Sequence, residues 1–361
     1  MIRFAWLQAR TQTAIAMAAL AAAAVIALVT GPRLLHLYHV DVAACQGACT
    51  PATTAFLASY RWMQVFAPPV LLVLPVLFGM FWGAPLVARE LETGTFRLAW
   101  TQSVTRKRWL AVKLGIGALT SMAVTGLLSL VLTWWFSPID RVQLNLLDPA
   151  MFGVRGIAPV GYAAFAFMAG VTAGILLRRT VPAMAVTLAA FVAARLLVTY
   201  YLRPYLMGSL RAISPLVMAT GTGTGAGQAP GAPTVKPGDW VLSAQTINGA
   251  GQVIGQYGGV GPNGSIGFRV SHGAVSLAGV GPCPNTFPAA AIGGPRGASG
   301  PSASFNAAAQ ECITKLGIRN IVTYQPLSRY WPLQWYETLI FLTLAAALTV
   351  FCFWRVNRSL T

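Results

Sequence analysis

Side chains that could carry out chemistry are scarce in this sequence. Its 361 residues include eight acidic residues, three histidines and five cysteines. It contains no GxxxxGK(S/T) loop for nucleotide phosphates, no HExxH zinc helix and no GxSxG nucleophile turn. These absences argue against ATP hydrolysis through a phosphate loop on this chain. The hypothesis of a membrane enzyme would need a cluster of reactive side chains, and the sequence motifs indicate none.

One short stretch nevertheless concentrates polar residues between two long apolar runs. Residues 88–108 read ARELETGTFRLAWTQSVTRKR. The acidic start and the Thr-Gly-Thr sequence predict a bend, and Phe96, Ala99 and Trp100 share one face of a following short helix. A segment of this kind can lie on lipid, and Lys113 just beyond it would then extend to the headgroups. Alternatively, the segment can bind to a groove of a partner protein.

The composition indicates an α-helical integral membrane protein. Hydrophobic residues make up 56% of the chain and charged residues 9%, whereas soluble domains carry about 25% charged residues. A membrane-crossing helix needs about 20 mostly apolar residues. Six stretches satisfy this condition: Thr13–Thr30, Phe66–Val87, Trp109–Phe136, Ala158–Leu177, Val181–Tyr201 and Trp335–Trp354.

Basic residues predict the orientation of these helices. With the N-terminus inside, twelve Arg and Lys residues fall on cytoplasmic segments, and four fall on short outer loops: Arg33, Arg61, Arg141 and Arg155. Positive residues favour the cytoplasmic side, so we expect a multi-pass protein with both termini in the cytoplasm. The net charge of +17 therefore reflects contact with the lipid bilayer and does not indicate nucleic-acid binding. The first apolar run is too long for a cleaved signal peptide.

The predicted domain boundaries follow from these segments. Residues 1–201 form five transmembrane helices with the cytoplasmic loop 88–108, and residues 335–361 form the sixth helix and a cytoplasmic tail. Residues 202–334 form a small, loop-rich α+β extracytoplasmic domain, because 22 of the 36 glycines lie in residues 201–300. Within it, DWVLSAQTI and NIVTYQP predict strands, and SFNAAAQECITKLG predicts a short helix.

Four of the five cysteines fall in regions predicted to be extracytoplasmic. Cys45 and Cys49 lie in the first outer loop, and Cys283 and Cys312 lie in the outer domain. In an oxidising compartment they predict two disulfides, Cys45–Cys49 and Cys283–Cys312. Redox chemistry is the alternative for the first pair. The histidines are too few and too dispersed to predict a metal site.

One charged residue, Arg195, lies inside a predicted span. It can extend its side chain toward the surface. Alternatively, it can form an intramembrane ion pair with Glu337, near the start of the last helix. A role in substrate recognition is a third possibility.

The stretch ARELETGTFRLAWTQSVTRKRWLAVKLG resembles the loop between the second and third spans of type-two ABC exporter permeases. In that family an E-x-E-x-G-T element precedes a short helix, a Ser/Thr-Arg turn and a lysine that starts the next span. The matching residues here are Glu90, Glu92, Gly94, Thr95, Thr105, Arg106 and Lys113. The variant LAWTQSVTR and the segment YQPLSRYWPLQWYE, residues 324–337, resemble an actinobacterial branch of the family.

This resemblance implies a permease subunit in the bacterial cytoplasmic membrane, which pairs with a second permease copy and docks separate ATPase subunits. ATP and Mg²⁺ would be held by the ATPase, so this chain itself needs no cofactor and is not an enzyme. The implied ATPase-coupling residues are Glu90, Glu92, Gly94, Thr95, Phe96, Arg97 and Trp100. The alternative is a membrane-anchored sensor or scaffold with a ligand-binding outer domain.

Overall fold

Six helical segments dominate the structure, a computed structural model that describes residues 2–45, 49–93, 106–215, 235–236, 238–257, 311 and 314–359. Each is long and apolar enough to cross a membrane. In chain order, the first to sixth spans are Ala14–Ala43, Arg61–Glu90, Lys107–Gln143, Ala158–Leu177, Thr180–Tyr205 and Leu327–Arg358. The prediction of a six-span helical membrane protein is therefore confirmed.

The helices often extend beyond the predicted apolar cores. The α-helices are Ile2–Leu37, Thr50–Ser59, Arg61–Phe78, Ala84–Thr93, Arg106–Gln143, Pro149–Phe152, Ala158–Leu177, Thr180–Leu196 and Tyr330–Ser359. Two short 3-10 turns occupy Arg203–Tyr205 and Leu327–Arg329. The last helix begins at Tyr330 and not at residue 335, because Pro332 lies in its first turn, where a helix tolerates proline.

π-helical turns interrupt or extend three of the spans, at Tyr38–Ala43, Gly79–Gly83 and Leu197–Leu202. The second of these has a local cause. A continuous α-helix would need the backbone N–H of Pro85 as a donor, and proline has none. The wider turn lies directly before this residue, so the break in the hydrogen-bond pattern falls where proline imposes it.

Glycines allow the second and fourth spans to touch backbone to backbone. A Cβ atom built on Gly170 would lie 2.1 Å from the carbonyl oxygen of Gly79, and one on Gly79 would lie 2.3 Å from that of Ala166. One turn further along, a Cβ on Gly174 would lie 2.7 Å from the carbonyl oxygen of Ala84. Membrane helices commonly approach closely at small residues. Here the contact places the fourth span at the centre of the bundle, where nearly all its residues are buried.

A second compact unit comprises Gln143–Asp148 and Met207–Tyr330. It contains an antiparallel sheet in the order β1-β4-β2-β3, with β1 at Leu210–Pro215, β2 at Trp240–Ile247, β3 at Val253–Tyr257 and β4 at Arg319–Gln325. Val241, Ala244 and Val322 form its core. Strands β2 and β4 correspond to the two predicted strands, while β1 and β3 were not predicted. Most of the helix predicted before β4 lies outside the described residues.

Cys45 and Cys49 form a disulfide in the structure, with their Cα atoms 5.8 Å apart. Cys283 and Cys312 lie outside the described residues, so their pairing stays a prediction. Cys352 is a free, buried thiol near the end of the sixth span. It lies 3.2 Å from the hydroxyl of Thr172, which is consistent with a packing role.

The glycine contact predicts a selective sensitivity to one added methyl group. Gly170→Ala should destabilise the protein by about 1–3 kcal/mol, because the new Cβ collides with backbone that must shift to make room. The matched control is Gly115→Ala, another helical glycine whose Cβ would meet nothing within 4 Å. Thermal unfolding in detergent should show a lower midpoint for Gly170→Ala than for the wild type. The midpoint of the control should be unchanged. Equal midpoints for both variants would contradict the close contact.

Candidate functional site

The loop that resembles an ATPase-coupling segment lies between the second and third spans. Its residues 94–105 lie outside the described part of the chain. They include five of the predicted coupling residues: Gly94, Thr95, Phe96, Arg97 and Trp100. The remaining two, Glu90 and Glu92, lie on the helix Ala84–Thr93 that leads into the loop. The structure therefore shows how the ends of the loop are held.

Glu90 joins the two spans that flank the loop. Its carboxylate forms an ion pair with the ammonium group of Lys113, which also lies 4.7 Å from the ring centre of Trp109. Lys113 is only 6% exposed, so the expectation that it extends to the lipid headgroups is wrong. A lysine can stay buried when a carboxylate and an aromatic ring offset its lost hydration. The pair fastens the end of the second span to the first turns of the third.

Glu92 reaches a different neighbour, the start of the fifth span. Its Oε2 accepts a hydrogen bond of 2.9 Å from the hydroxyl of Thr180 and a longer one of 3.4 Å from the Thr180 backbone N–H. Thr180 is the first residue of the helix Thr180–Leu196. A carboxylate at this position satisfies unpaired N–H groups and interacts favourably with the helix dipole. The entrance to the loop is thus tied to both the third and the fifth spans.

A buried cluster of charges lies at the far end of the fifth span. Nη1 of Arg195 is 3.0 Å from Oε1 of Glu337. Arg203 approaches the same carboxylate, with Nε 2.8 Å from Oε2 and Nη2 3.0 Å from Oε1. Glu337 and Arg203 are fully buried, and Arg195 is 13% exposed. The structure therefore has Arg195 in an ion pair, and not extended toward the surface.

Aromatic side chains complete this cluster. The hydroxyl of Tyr162 donates a hydrogen bond to Glu337. The guanidinium carbon of Arg195 lies 4.0 Å from the Tyr162 ring centre, and that of Arg203 lies 4.1 Å from the ring centre of Phe152. Two cations share one carboxylate, and the two ring faces provide further favourable contacts for these cations. The cluster thus joins the fourth, fifth and sixth spans.

Sequence reasoning missed Arg203 because it follows the apolar run and was assigned to the outer domain. The structure instead includes it in the fifth span, directly after the π-helical turn Leu197–Leu202. Residues eight apart on a regular α-helix differ by about 80° in direction. A π-helical turn holds more residues, so it brings Arg195 and Arg203 nearer to one face. The sequence signal that could have revealed Arg203 is its position near Arg195, since both arginines lie close to the end of the fifth apolar run.

Gln334 supports the charge cluster from one turn earlier in the sixth span. Its Oε1 accepts a 2.8 Å hydrogen bond from the backbone N–H of Ala158, and its Nε2 donates one of 2.9 Å to the carbonyl of Phe152. Ala158 is the first residue of the fourth span, so Gln334 acts as a helix cap supplied by another helix. Both polar residues of the PLQWYE sequence, Gln334 and Glu337, are therefore engaged in contacts with other spans.

Within the described ranges, no group of three or more His, Cys, Asp or Glu side chains could hold a metal ion. The charged groups described above form ion pairs: Glu90 pairs with Lys113, and Glu337 pairs with Arg195 and Arg203. Their arrangement is suited to joining helices. It offers no nucleophile with an adjacent base, which acyl transfer or hydrolysis through a covalent intermediate would require.

Comparison with known families identifies the membrane region. A family model described as ABC-2 membrane transporter related matches residues 17–203, just over half of the chain. This match covers all but a few residues of the first five spans, and it includes the loop with its anchoring residues. No curated protein and no solved structure matches the chain.

The charge cluster predicts a graded response to charge removal. Glu337→Gln should cost about 3–5 kcal/mol of stability, because it leaves Arg203 buried without a counter-charge. Arg195→Gln should cost less, since the carboxylate keeps Arg203 and the lost cation is partly exposed. Glu311→Gln is the control, because the Glu311–Lys315 pair is well exposed and should contribute little.

Thermal unfolding of the three purified variants and the wild type measures this order. A Glu337→Gln protein as stable as the Glu311→Gln protein would contradict a structural role for the buried carboxylate.

Proposed function

Because the chain belongs to the ABC-2 membrane transporter related family, we propose that it is the permease subunit of an ATP-driven exporter in the bacterial cytoplasmic membrane. Members of this family are membrane transport components and generally work with an ATPase partner. The family match across residues 17–203 is the observation that carries the proposal. ATP and Mg²⁺ are held by the separate ATPase, and both termini of the permease lie on its side of the membrane. The LAWTQSVTR and YQPLSRYWPLQWYE segments support an actinobacterial branch.

Coupling takes place at residues 94–102 in this proposal. Phe96 and Trp100 are the apolar anchors that enter a groove of the ATPase, since buried aromatic residues tend to dominate interface energies. The sequence predicts that Gly94 and Thr95 allow the chain to bend before these anchors, and Arg97 contributes polar contacts at the rim. Closure of the ATPases around ATP displaces this loop and with it the attached spans.

The two anchors at the loop entrance support this mechanism. A displacement of the loop pulls on the third span through Glu90 and Lys113, and on the fifth span through Glu92 and Thr180. The ion pair is mostly buried, with Glu90 15% exposed, whereas the Glu92 contact is exposed. The loop is therefore mechanically linked to two helices through side chains that do not themselves need to touch the ATPase.

A second permease copy, identical or different, completes the transporter in this proposal. Much of the first span is exposed and apolar in the single chain, including Ile15, Leu28 and Val29. Such a surface is compatible with lipid or with another subunit.

Isolation of the tagged full-length chain from its native membranes in mild detergent tests the proposal. Mass spectrometry should identify a co-purified protein that carries a phosphate-binding loop. Repeated recovery of the chain without any ATPase, under conditions that keep it folded, would favour the membrane-anchored sensor or scaffold instead.

Trp100→Ala should weaken retention of the ATPase by at least about thirtyfold, because truncation of a central aromatic anchor typically costs about 2 kcal/mol or more. Trp354→Ala is the control, since Trp354 is a half-exposed tryptophan of the sixth span. Retention of the ATPase on equal amounts of purified permease is the measurement. Equal retention on both variants would exclude Trp100 as an anchor.

Thr180→Val should leave ATPase retention intact and impair transmission of the signal. Loss of an exposed hydrogen bond typically costs about 1 kcal/mol, so the ATP-dependent response of the fifth span should fall about fivefold. The response is measured as ATP-dependent thiol labelling at Val181→Cys, an exposed position at the Thr180 end of that span.

The control for this prediction is Thr343→Val, which removes an exposed hydroxyl bonded only to its own helix. If Thr180→Val and Thr343→Val give the same labelling response, the Glu92–Thr180 contact does not transmit the signal.

A further inference from the structure

A cavity of about 270 Å³ lies between the first span and the start of the second. Four of its lining residues belong to the last turns of the helix Ile2–Leu37. The other four lie around the junction of the helices Thr50–Ser59 and Arg61–Phe78. The lining residues are Thr30, Arg33, Leu34, Leu37, Ser59, Tyr60, Trp62 and Met63. None of them belongs to the coupling loop or to the charge cluster, so this cavity is a separate feature of the bundle.

The side chains of this cavity that have no hydrogen-bond partner within the described residues can all donate a hydrogen bond. Arg33 is exposed, and among the residues that the structure describes it has no carboxylate or other partner. The side-chain O–H of Tyr60 and indole N–H of Trp62 likewise have no hydrogen-bond acceptor within the described ranges. A permanent cation beside two uncharged donors favours an anionic ligand.

The two hydroxyl groups in the lining do not change this balance. Thr30 donates to the carbonyl of Ile26 at 2.6 Å, and Ser59 donates to that of Ala55 at 3.0 Å. The Thr30 oxygen also accepts a 2.8 Å hydrogen bond from the indole of Trp135. The protons of both hydroxyl groups are thus used within the protein. Among the described residues that line the cavity, none is a carboxylate that could pair with Arg33.

Two of the other arginines assigned to the short outer loops have partners of their own. Arg155 pairs with Asp140 and lies 4.7 Å from the ring centre of Phe136. Arg141 lies 5.8 Å from the ring centre of Tyr38. Arg33 and Arg61 have no such partner within the described residues, and of these two only Arg33 lines the cavity.

The other walls of the cavity are apolar. Leu34 and Met63 are buried, Leu37 is partly buried, and Trp62 is half exposed at the start of the second span. A tryptophan and an arginine at the end of an apolar span are typical of the boundary between the hydrocarbon and headgroup layers. The site thus combines anion recognition with an apolar surface, which matches a molecule that has both an anionic group and a hydrocarbon body.

We propose that this cavity binds the phosphate group of a membrane phospholipid. Arg33 supplies the charge-assisted hydrogen bonds to the phosphate oxygens, and Tyr60 and Trp62 supply the neutral donors. Leu34, Leu37 and Met63 contact the glycerol and the upper part of the acyl chains. The proposal does not depend on the identity of the partner ATPase or the transported substrate.

Native mass spectrometry of the purified full chain with added phosphatidylglycerol tests the site. The wild type should bind this lipid saturably, and Arg33→Gln should weaken binding about tenfold, because charge-assisted hydrogen bonds are lost. Arg61→Gln is the matched control, since Arg61 is an exposed arginine next to Trp62 that does not line the cavity. It should change binding less than about twofold. Equal effects of the two substitutions would overturn the proposal.

Two competition experiments distinguish binding of the phospholipid phosphate from binding of acyl chains alone or of a soluble anion. Diacylglycerol, which has the same acyl chains without phosphate, should not compete with phosphatidylglycerol for the site. Inorganic phosphate at millimolar concentration should not displace the lipid either. Competition by diacylglycerol would show that the site binds acyl chains without recognising phosphate. Displacement by inorganic phosphate would show that the site binds a soluble anion. Either result would overturn the proposal. Equal unfolding midpoints of the variants confirm that each compared protein is folded.

Discussion

The carboxylate of Glu337 is the interaction on which the arrangement of the last three spans depends. Inside a bilayer no water is available, so each buried polar group must find its partner within the protein. Glu337 meets this requirement with Arg195, Arg203 and Tyr162, which lie on the fifth and fourth spans. Gln334 adds hydrogen bonds to the start of the fourth span. None of these helices can slide by a turn without leaving a charge or an amide unpaired, so this end of the bundle is held in one register.

The opposite end of the fifth span has a smaller polar network. There Glu92 accepts an exposed hydrogen bond from Thr180, and the neighbouring spans share the mostly buried Glu90–Lys113 pair. Ala183 packs there against Ala84 and Ala173. An exposed hydrogen bond contributes less to stability than a buried network of charges, so the Glu92–Thr180 contact is the weaker of the two polar attachments of the fifth span. This asymmetry suits the proposed permease, because a displacement that begins at the loop acts first on the weaker contact, while the Glu337 cluster holds the far end.

Much of the fold could be predicted from hydropathy, because membrane insertion depends on the length and apolarity of a segment. Hydropathy could not predict the position of a charged side chain whose ion-pair partner lies far away in the sequence. Lys113 near a span end gives the same pattern whether it extends to the headgroups or pairs with Glu90. Arg203 follows the apolar run and therefore resembled a loop residue. Strands β1 and β3 are short, and one ends at Pro215 while the other contains Gly255, so neither has a strong strand signal. The Arg195–Glu337 pair could be named as one possibility because both residues lie near the same predicted end of their spans.

In the proposed permease, the loop after the second span contacts an ATPase. The most direct test of this contact is a photo-crosslinking amino acid placed at position 100 of the full-length chain in native cells. Mass spectrometry of the crosslinked product identifies whatever touches this position. The proposed function predicts a covalent adduct with a protein that contains a phosphate-binding loop. Adducts with lipid alone, in cells shown to produce folded permease, would contradict it.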